Sequence, residues 1–363
     1  MILTLNAGSS SLKFGVFEGD RAVLRGEIDT GAGRITAGVT DEAWPHGTEA
    51  TGLAQLMDWI AQHDGMAAIT TVGHRVVHGG PRIGPARVDA ALMTELSALT
   101  PLAPLHQPHS LAAIRVLLDT HPALPQVACF DTAFHHTMDE VATTLPLPRA
   151  LRDAGARRYG FHGLSYAHVA RQFSTGRVVV AHLGSGASLC AMRDGRSVDT
   201  TMGLTALDGV MMGTRPGRLD PGVILWMLQA QGMDAASIED TLYHRSGLLA
   251  VGGVADMRAM HGDDGALARA MFVRSVVQET GAMVAVLGGV DSYVFTAGIG
   301  EHDATIRAPI VAGLGWLGLM VDNRNQTYRS AQGCRQIGGE TVTVWAMPAD
   351  EEAEIARQVA ALA

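Results

Sequence analysis

A duplicated α/β fold is predicted by three features of the chain. Two similar Gly/Ser hairpins lie about 176 residues apart, counted from Asn6 to His182; helical segments follow each; and the composition can fill two cores. The 363 residues suit two domains. With 47% apolar and 17% charged residues the chain is too hydrophobic for intrinsic disorder. Lys plus Arg is 27 against 36 Asp plus Glu, a net charge of −9 without long runs of one sign, which argues against nucleic-acid and anionic-membrane partners. Three distant cysteines, Cys129, Cys190 and Cys334, form no CxxC pair and no closed disulfide set, as expected in a reducing cytoplasm. The N-terminal apolar stretch stops at Asn6, too soon for a signal-peptide core. The uncharged run Leu96 to Ile114 is broken by Pro101, Pro104 and Pro108, so no membrane-spanning segment is expected.

The elements follow in order. Ile2 to Leu5 and Leu12 to Phe17 read as a hairpin whose tip is Asn6 to Ser11. Backbone N–H groups and hydroxyls crowd that tip into a concave anion site, and Lys13, the single lysine among 27 basic residues, stands beside it. No Gly-Lys pair exists, which excludes a Walker A loop. Gly31 to Gly52 lacks periodicity and reads as surface loop. Leu53 to Ala61, Ala90 to Leu99, His109 to Leu118, Leu164 to Gln172 and Leu267 to Leu287 carry helical periodicity, while the Val-rich stretch around His74 reads as strand. Val178 to His182 and Leu189 to Met192 form the second hairpin around Leu183 to Ser188, and Asp194-Gly195 turns the chain again. Tyr293 to Thr296 is a strand entering the glycine turn Ala297 to Glu301, with a helix from about Ala304; glycine there lets a backbone approach a nucleotide closely.

The motifs Leu5-Asn-Ala-Gly-Ser-Ser-Ser-Leu-Lys13, Gly73-His-Arg-Val-Val-His-Gly-Gly80, Pro104-Leu-His106 and Phe130-Asp-Thr-Ala-Phe-His135 stand in the first half of the chain. Arg158-Tyr-Gly-Phe-His-Gly163, His182-Leu-Gly-Ser-Gly186, Met212-Gly-Thr-Arg215, Ala297-Gly-Ile-Gly-Glu301 and Asp350-Glu-Glu352 follow. In this order, and spanning nearly the whole chain, they resemble the acetate kinase family. The resemblance implies a duplicated actin-like ATPase (ribonuclease H-like) fold with an interdomain active-site cleft. One domain would comprise residues 1–134 plus 353–363, the other, nucleotide-binding and dimerising, residues 135–352. It also implies a homodimer and reversible phosphoryl transfer from ATP to acetate, giving acetyl phosphate and ADP, with Mg²⁺ or in its place Mn²⁺.

By the same resemblance, Arg75 and Arg215 grip the carboxylate and the transferring phosphoryl, since a planar fork matches equatorial oxygens, and His162 hydrogen-bonds them. Asn6 and Glu351 hold the metal, and Lys13 touches ATP. His182, Leu183, Gly184, Ser185 and Gly186 embrace the phosphates; Asp256, Met257 and Arg258, with Gly298, Ile299, Gly300, Glu301 and His302, surround the adenosine. Val77, Leu105, Phe161 and Ala206 wall the acyl pocket. Asp131 is the family's acid/base residue, but a carboxylate nucleophile with pKa of about 4 to 5 is already ionised, which points Asp131 toward positioning metal or water. Departures from the family pattern are Ser185 for Asn, His302 for Asn, Ala206 for Pro, and Pro216 and Arg218 after the Gly-Thr-Arg motif; the chain is also shorter, chiefly between Phe17 and Ala67.

Plainer readings stand beside these. A single Arg is more often a surface residue, the pairs His74/His78 and His135/His136 are more often packing or capping groups, and Val77, Leu105 and Phe161 are ordinary core candidates. A propionate or other short-chain acyl kinase is the near alternative, with butyrate kinase ranked lower because that group lacks the Gly73–Gly80 motif. From other classes come a metal-dependent hydrolase, suggested by 15 histidines but without HExxH, and a non-catalytic ATP-binding module of the same fold.

Overall fold

The computed structural model describes residues 1–8, 11–29, 31–44, 50–62 and 69–362. Two sheets organise the chain. The first contains β1 (Ile2–Ala7), β2 (Ser11–Glu18), β3 (Arg21–Asp29), β4 (Arg34–Ala37), β5 (Thr40–Ala43), β6 (Thr71–Val76), β7 (Ala86–Arg87) and β8 (Gln126–Phe130), in the order β5-β4-β3-β2-β1-β6-β8-β7. The second contains β9 (Arg177–Leu183), β10 (Ala187–Arg193), β11 (Arg196–Thr200), β12 (Ser292–Thr296), β13 (Arg335–Gly338) and β14 (Thr343–Ala346), in the order β11-β10-β9-β12-β14-β13.

The duplication appears in the topology. In each sheet an antiparallel meander (β1-β2-β3, β9-β10-β11) leads to two parallel strands on the other side of its first member (β6 and β8, β12 and β14). Both hairpins close at glycine-bearing turns, next to the Asn6↔Lys13 and Leu183↔Ala187 pairs. Ser9 and Ser10 of the first tip lie outside the described residues.

The chain folds as two compact units, Met1–His136 with Phe161–His168 and Asp350–Ala363, and Thr137–Gly160 with Val169–Ala349. The sequence boundaries at 134/135 and 352/353 differ from these: packing joins His162 and Glu351 to the first unit. In that unit Leu3, Leu5, Phe14 and Val16 meet Leu53, Leu56 and Ile60 in one buried cluster. The helix Glu351–Leu362 contributes Ile355 and Val359 to another cluster with Val127, Cys129 and Leu164. That helix needs Gly73 on β6: a Cβ there would stand 2.5 Å from Ile355 Cγ2 and 2.7 Å from Val359 Cγ2.

The five expected helices form, as Ala50–Ala61, Ala90–Ala98, Gln107–Thr120, Gly163–Gln172 and Gly262–Leu287. Two expectations are corrected. Gly31 to Gly52 is not all loop: Ile35 and Ala37 alternate inward on β4, which with β5 extends the first sheet, and a helix starts at Ala50. Four-residue edge strands carry too few alternations to stand out. The glycine segment Ala297–His302 is itself a short helix, entered through Ala297 at φ 64°.

Gly262–Leu287 is, by length and composition, apolar enough to cross a membrane. It also carries Arg269, Arg274 and Glu279, and it buries Phe272, Val276, Thr280 and Leu287; the Thr280 hydroxyl bonds Tyr293 of β12, which places the helix against the second sheet.

Gly73→Val is expected to cost about 1 to 3 kcal/mol of stability by overpacking. Urea unfolding measures it, and a midpoint equal to wild type would show that the C-terminal helix moves aside without cost.

Candidate active site

In the first unit, the carboxyl ends of the parallel strands deliver one residue each: Asn6 from β1, Arg75 from β6 and Asp131 just past β8. Open α/β sheets present ligands at such strand ends. Arg75 Nε donates to both Asp131 oxygens at 3.1 Å, and Nη2 donates to Oδ2 at 2.7 Å. Its Nη1 reaches Asn6 Oδ1 at 3.0 Å and Glu351 Oε2 at 3.2 Å. The Asn6 amide closes the ring, donating to Glu351 Oε2 and Glu352 Oε1, each at 2.9 Å.

Three carboxylates thus surround one guanidinium, and the electrostatics record the excess. Burial, only partly offset by Arg75, raises the Asp131 carboxyl to about 6; burial and Glu351 push Glu352 above the usual carboxylate range. Burial opposes the charge on Arg75, but Asp131 and Glu351 outweigh it and hold the guanidinium firmly protonated.

His162 stands at φ 58°, a left-handed conformation costly for histidine and more often found where a site over-determines the backbone. Its N–H bonds the Asp131 carboxylate. The next residue must be glycine, because Gly163 N donates to Asp131 O at 2.9 Å and a Cβ there would collide with that oxygen. His135 Nε2 pairs with the Phe161 carbonyl at 2.9 Å, and His78 packs edge-on against the Phe161 ring. Val77 and Phe161 are buried and Leu105 half-buried in this unit, whereas Ala206 belongs to the other. His74 bonds Gln126, His78 Nδ1 accepts from Gly80 N, and burial lowers both imidazoles to about 4, so they are neutral packing groups. Among the described residues there is no group of three or more His, Cys, Asp and Glu set to hold a metal.

The second unit contains a cavity of about 580 Å³ lined by Gly184, Ser185, Met257, Gly298, Ile299 and His302, among others. Asp256 and Arg258 line it too, tied to each other by a 2.7 Å ion pair. Ala255 and Asp303 also line it, and neither stands out in sequence. Gly184 N bonds Gly186 O at 3.1 Å, and Gly213 N bonds Ser185 O at 3.0 Å, which holds the loop tight. His182 and Leu183 are buried in β9. Gly300 and Glu301 support the wall from behind. Glu301 accepts from Ala349 N at 2.8 Å and from Ser330 Oγ at 3.0 Å, and the Gly300 carbonyl receives the buried Arg307 guanidinium at 2.9 Å. Lys13, in the first unit, lines a separate open recess with Arg25 and Glu352.

Arg215 is buried, and burial lowers its pKa to about 10. Its Nη1 bonds the Ala206 carbonyl at 2.8 Å, and among the described residues no carboxylate pairs with it. A buried guanidinium with so few partners keeps N–H donors free for an anion.

Residues 1–357 match the model of the acetokinase family. The chain belongs to that family. An acetate kinase of Rhodopseudomonas palustris is 45% identical over 391 residues, covering 100% of this chain and 98% of the relative. An acetate kinase of Rhizobium meliloti is 44% identical, covering 99% and 98%. A propionate kinase structure from Francisella tularensis superposes with TM-score 0.91 at 33% identity, covering 98% of each chain. The Porphyromonas gingivalis acetate kinase gives 0.85 at 31%, covering 99% of each. As a member of the acetokinase family, the chain has the actin-like ATPase fold and is a kinase that transfers phosphate to a carboxylate.

Because Asp131 must be ionised to hold the Arg75 fork, activity is expected to fall on the acid side with an apparent pKa of about 6. This limb is expected to be absent from the residual activity of Asp131→Asn. A pH–rate profile of both proteins checks it, and an acid limb shared by both would assign the titration to another group.

Proposed function

We propose that the chain catalyses reversible Mg²⁺-dependent transfer of the γ-phosphoryl group of ATP to acetate, giving acetyl phosphate and ADP. Three observations support this reading: in the second unit a glycine-walled cavity of about 580 Å³ and Arg215, buried and without a carboxylate partner among the described residues, and in the first unit Arg75, locked in a carboxylate cage. The adenosine sits in the cavity by Met257 and Ile299, with the phosphates on the Gly184–Gly186 turn. An acetate oxygen attacks the γ-phosphorus as the bond to the β–γ bridging oxygen breaks, and ADP leaves with that electron pair. No proton need be removed from an ionised carboxylate, so Asp131 fixes Arg75 and takes no proton. Arg75, Arg215 and His162 neutralise the equatorial oxygens as charge spreads over them, the task of positioned donors in phosphoryl transfer.

A hard divalent cation fits the first cluster, because its donors are oxygens and its negative charge exceeds what Arg75 offsets. Asn6 and Glu351 would hold Mg²⁺, which when bound neutralises phosphate charge. Lys13, on the strand beside Asn6, adds a positive charge near Glu352 and is assigned to the nucleotide phosphates. The acyl group lies against Val77, Leu105 and Phe161, with Ala206 in place of the family's proline leaving room for one more methylene. The exposed Leu225, Trp226 and Leu228 of the helix Pro221–Gln229 offer an apolar face suited to a second copy of the chain. The three free cysteines fit a reducing cytoplasm.

A hydroxamate assay with Mg-ATP and acetate, propionate or butyrate tests the reaction. Acyl phosphate is expected from acetate, with propionate within about tenfold, because a small pocket rejects one methylene weakly. A preference beyond a thousandfold would overturn the pocket assignment. Arg215→Ala is expected to cost about 3 to 4 kcal/mol of transition-state stabilisation. A folded variant within tenfold of wild type in kcat/KM would remove Arg215 from the site.

Val77→Ala is expected to raise butyrate use while acetate kcat stays nearly unchanged, since the phosphoryl contacts are untouched. Equal changes for both acceptors in steady-state assays would show that Val77 does not bound the acyl chain.

A further inference from the structure

Gln107, the first residue of the helix Gln107–Thr120, is fully buried, and both ends of its carboxamide are engaged. Oε1 accepts from His78 N at 3.0 Å, while Nε2 donates to His78 O at 2.9 Å and to Leu96 O at 3.1 Å. One side chain thus takes both backbone groups of His78, as a paired strand would, and joins them to the last turn of the helix Ala90–Ala98. The adjoining backbone is held as well: Gly79 N donates to Thr132 Oγ1 at 3.1 Å, and a Cβ at Gly79 would stand 2.4 Å from Phe130 Cγ. His78 cannot drift without breaking these contacts.

Val77 precedes His78, Leu105 stands two residues before Gln107, and the His78 ring meets the Phe161 ring edge-on at 5.6 Å. A single buried amide therefore connects the three apolar residues that the first unit supplies to the proposed acyl wall. An amide in a fully buried site is costly unless its bonds are made, and an apolar side chain of similar volume would fill the space without that demand. What the amide adds is direction, because three hydrogen bonds fix spacings that dispersion contacts leave looser. Resting on the acyl-wall reading above, we propose that Gln107 is a positioning residue for acceptor specificity: through His78 it sets the spacing of Val77, Leu105 and Phe161, and so the chain length of the carboxylate accepted. Gln107 itself is closed to solvent and touches no substrate.

The test is steady-state kinetics of the full chain with Mg-ATP and acetate, propionate or butyrate, for wild type, Gln107→Met, Gln107→Asn and Val77→Ala. Gln107→Met keeps the volume and removes the three bonds, which releases His78 and loosens the wall. The butyrate-to-acetate ratio of kcat/KM is expected to rise at least about fourfold, the value of one buried methylene, with a higher acetate KM and a Mg-ATP KM within about twofold of wild type. Gln107→Asn, which keeps an amide one carbon shorter, is expected to move the ratio less. A merely structural role would lower stability and the active fraction, and neither changes a ratio of acceptors measured on one sample. Circular dichroism and urea unfolding establish that each variant is folded. A folded Gln107→Met with a wild-type acceptor ratio would overturn the assignment, and so would failure of both Gln107 variants to fold, which would leave the amide as a bond of the fold alone. Val77→Ala separates the two readings. A shifted preference there with none at Gln107 removes Gln107 and keeps the acyl wall, whereas no shift in any variant removes both.

Discussion

The Arg75–Asp131 fork is the interaction around which the first unit's charged cluster is built. Asp131 is fully buried and raised in pKa, so isolation would favour its neutral form, and the three N–H bonds from Arg75 make its charge tolerable. Arg75 in turn meets Asn6 and Glu351, which come from the two ends of the sequence. A buried ion pair of this kind adds little net stability against a hydrophobic replacement, but removing one partner is severe because the other charge is stranded. The pair therefore specifies geometry more than it holds the fold together. The crowding of Gly163 against Asp131 O and the left-handed His162 follow from the same demand for a fixed carboxylate.

The duplicated halves use one topology for opposite purposes. In the first, strand ends present charge: an amide, a guanidinium and a carboxylate meeting two glutamates. In the second, the corresponding strand ends present glycine and apolar side chains around the large cavity, and charges are paired off, as in Asp256 with Arg258. Arg215 has no carboxylate partner among the described residues. Arg307 shows that a buried guanidinium can also be purely architectural: it donates to the Gly300, Glu301 and Asn325 carbonyls and the Asn325 amide oxygen.

Much of this was legible in the chain because the signals are local. Hairpins with Gly/Ser tips and helices of three turns or more announce themselves by period, and the motifs around Asn6, Arg75, Asp131 and Arg215 have recognisable composition. What escaped depends on distance in sequence. The strands β4 and β5 become strands by pairing onto an existing sheet edge. Glu352 joins the cluster only through the fold of the last helix, and Arg307 looks like any surface arginine until its burial is seen. The bond between Gln126 and His74 carries no sequence signal, because a polar residue opening a strand is ordinary and its partner is 52 positions away.

The helix Glu351–Leu362 has a consequence for biosynthesis. It packs on the strands made first, contributing Ile355 and Val359 to their core and Glu351 and Glu352 to the cage around Asn6 and Arg75. Domains ordinarily fold as units during translation, the N-terminal one first. Here the first unit stays short of a core layer and of two carboxylates until residues 351–362 have been made, after the second sheet. A chain that stops short of Glu351 thus carries an uncovered sheet face that chaperones and proteases can recognise, and the charge cluster closes only once that helix is present.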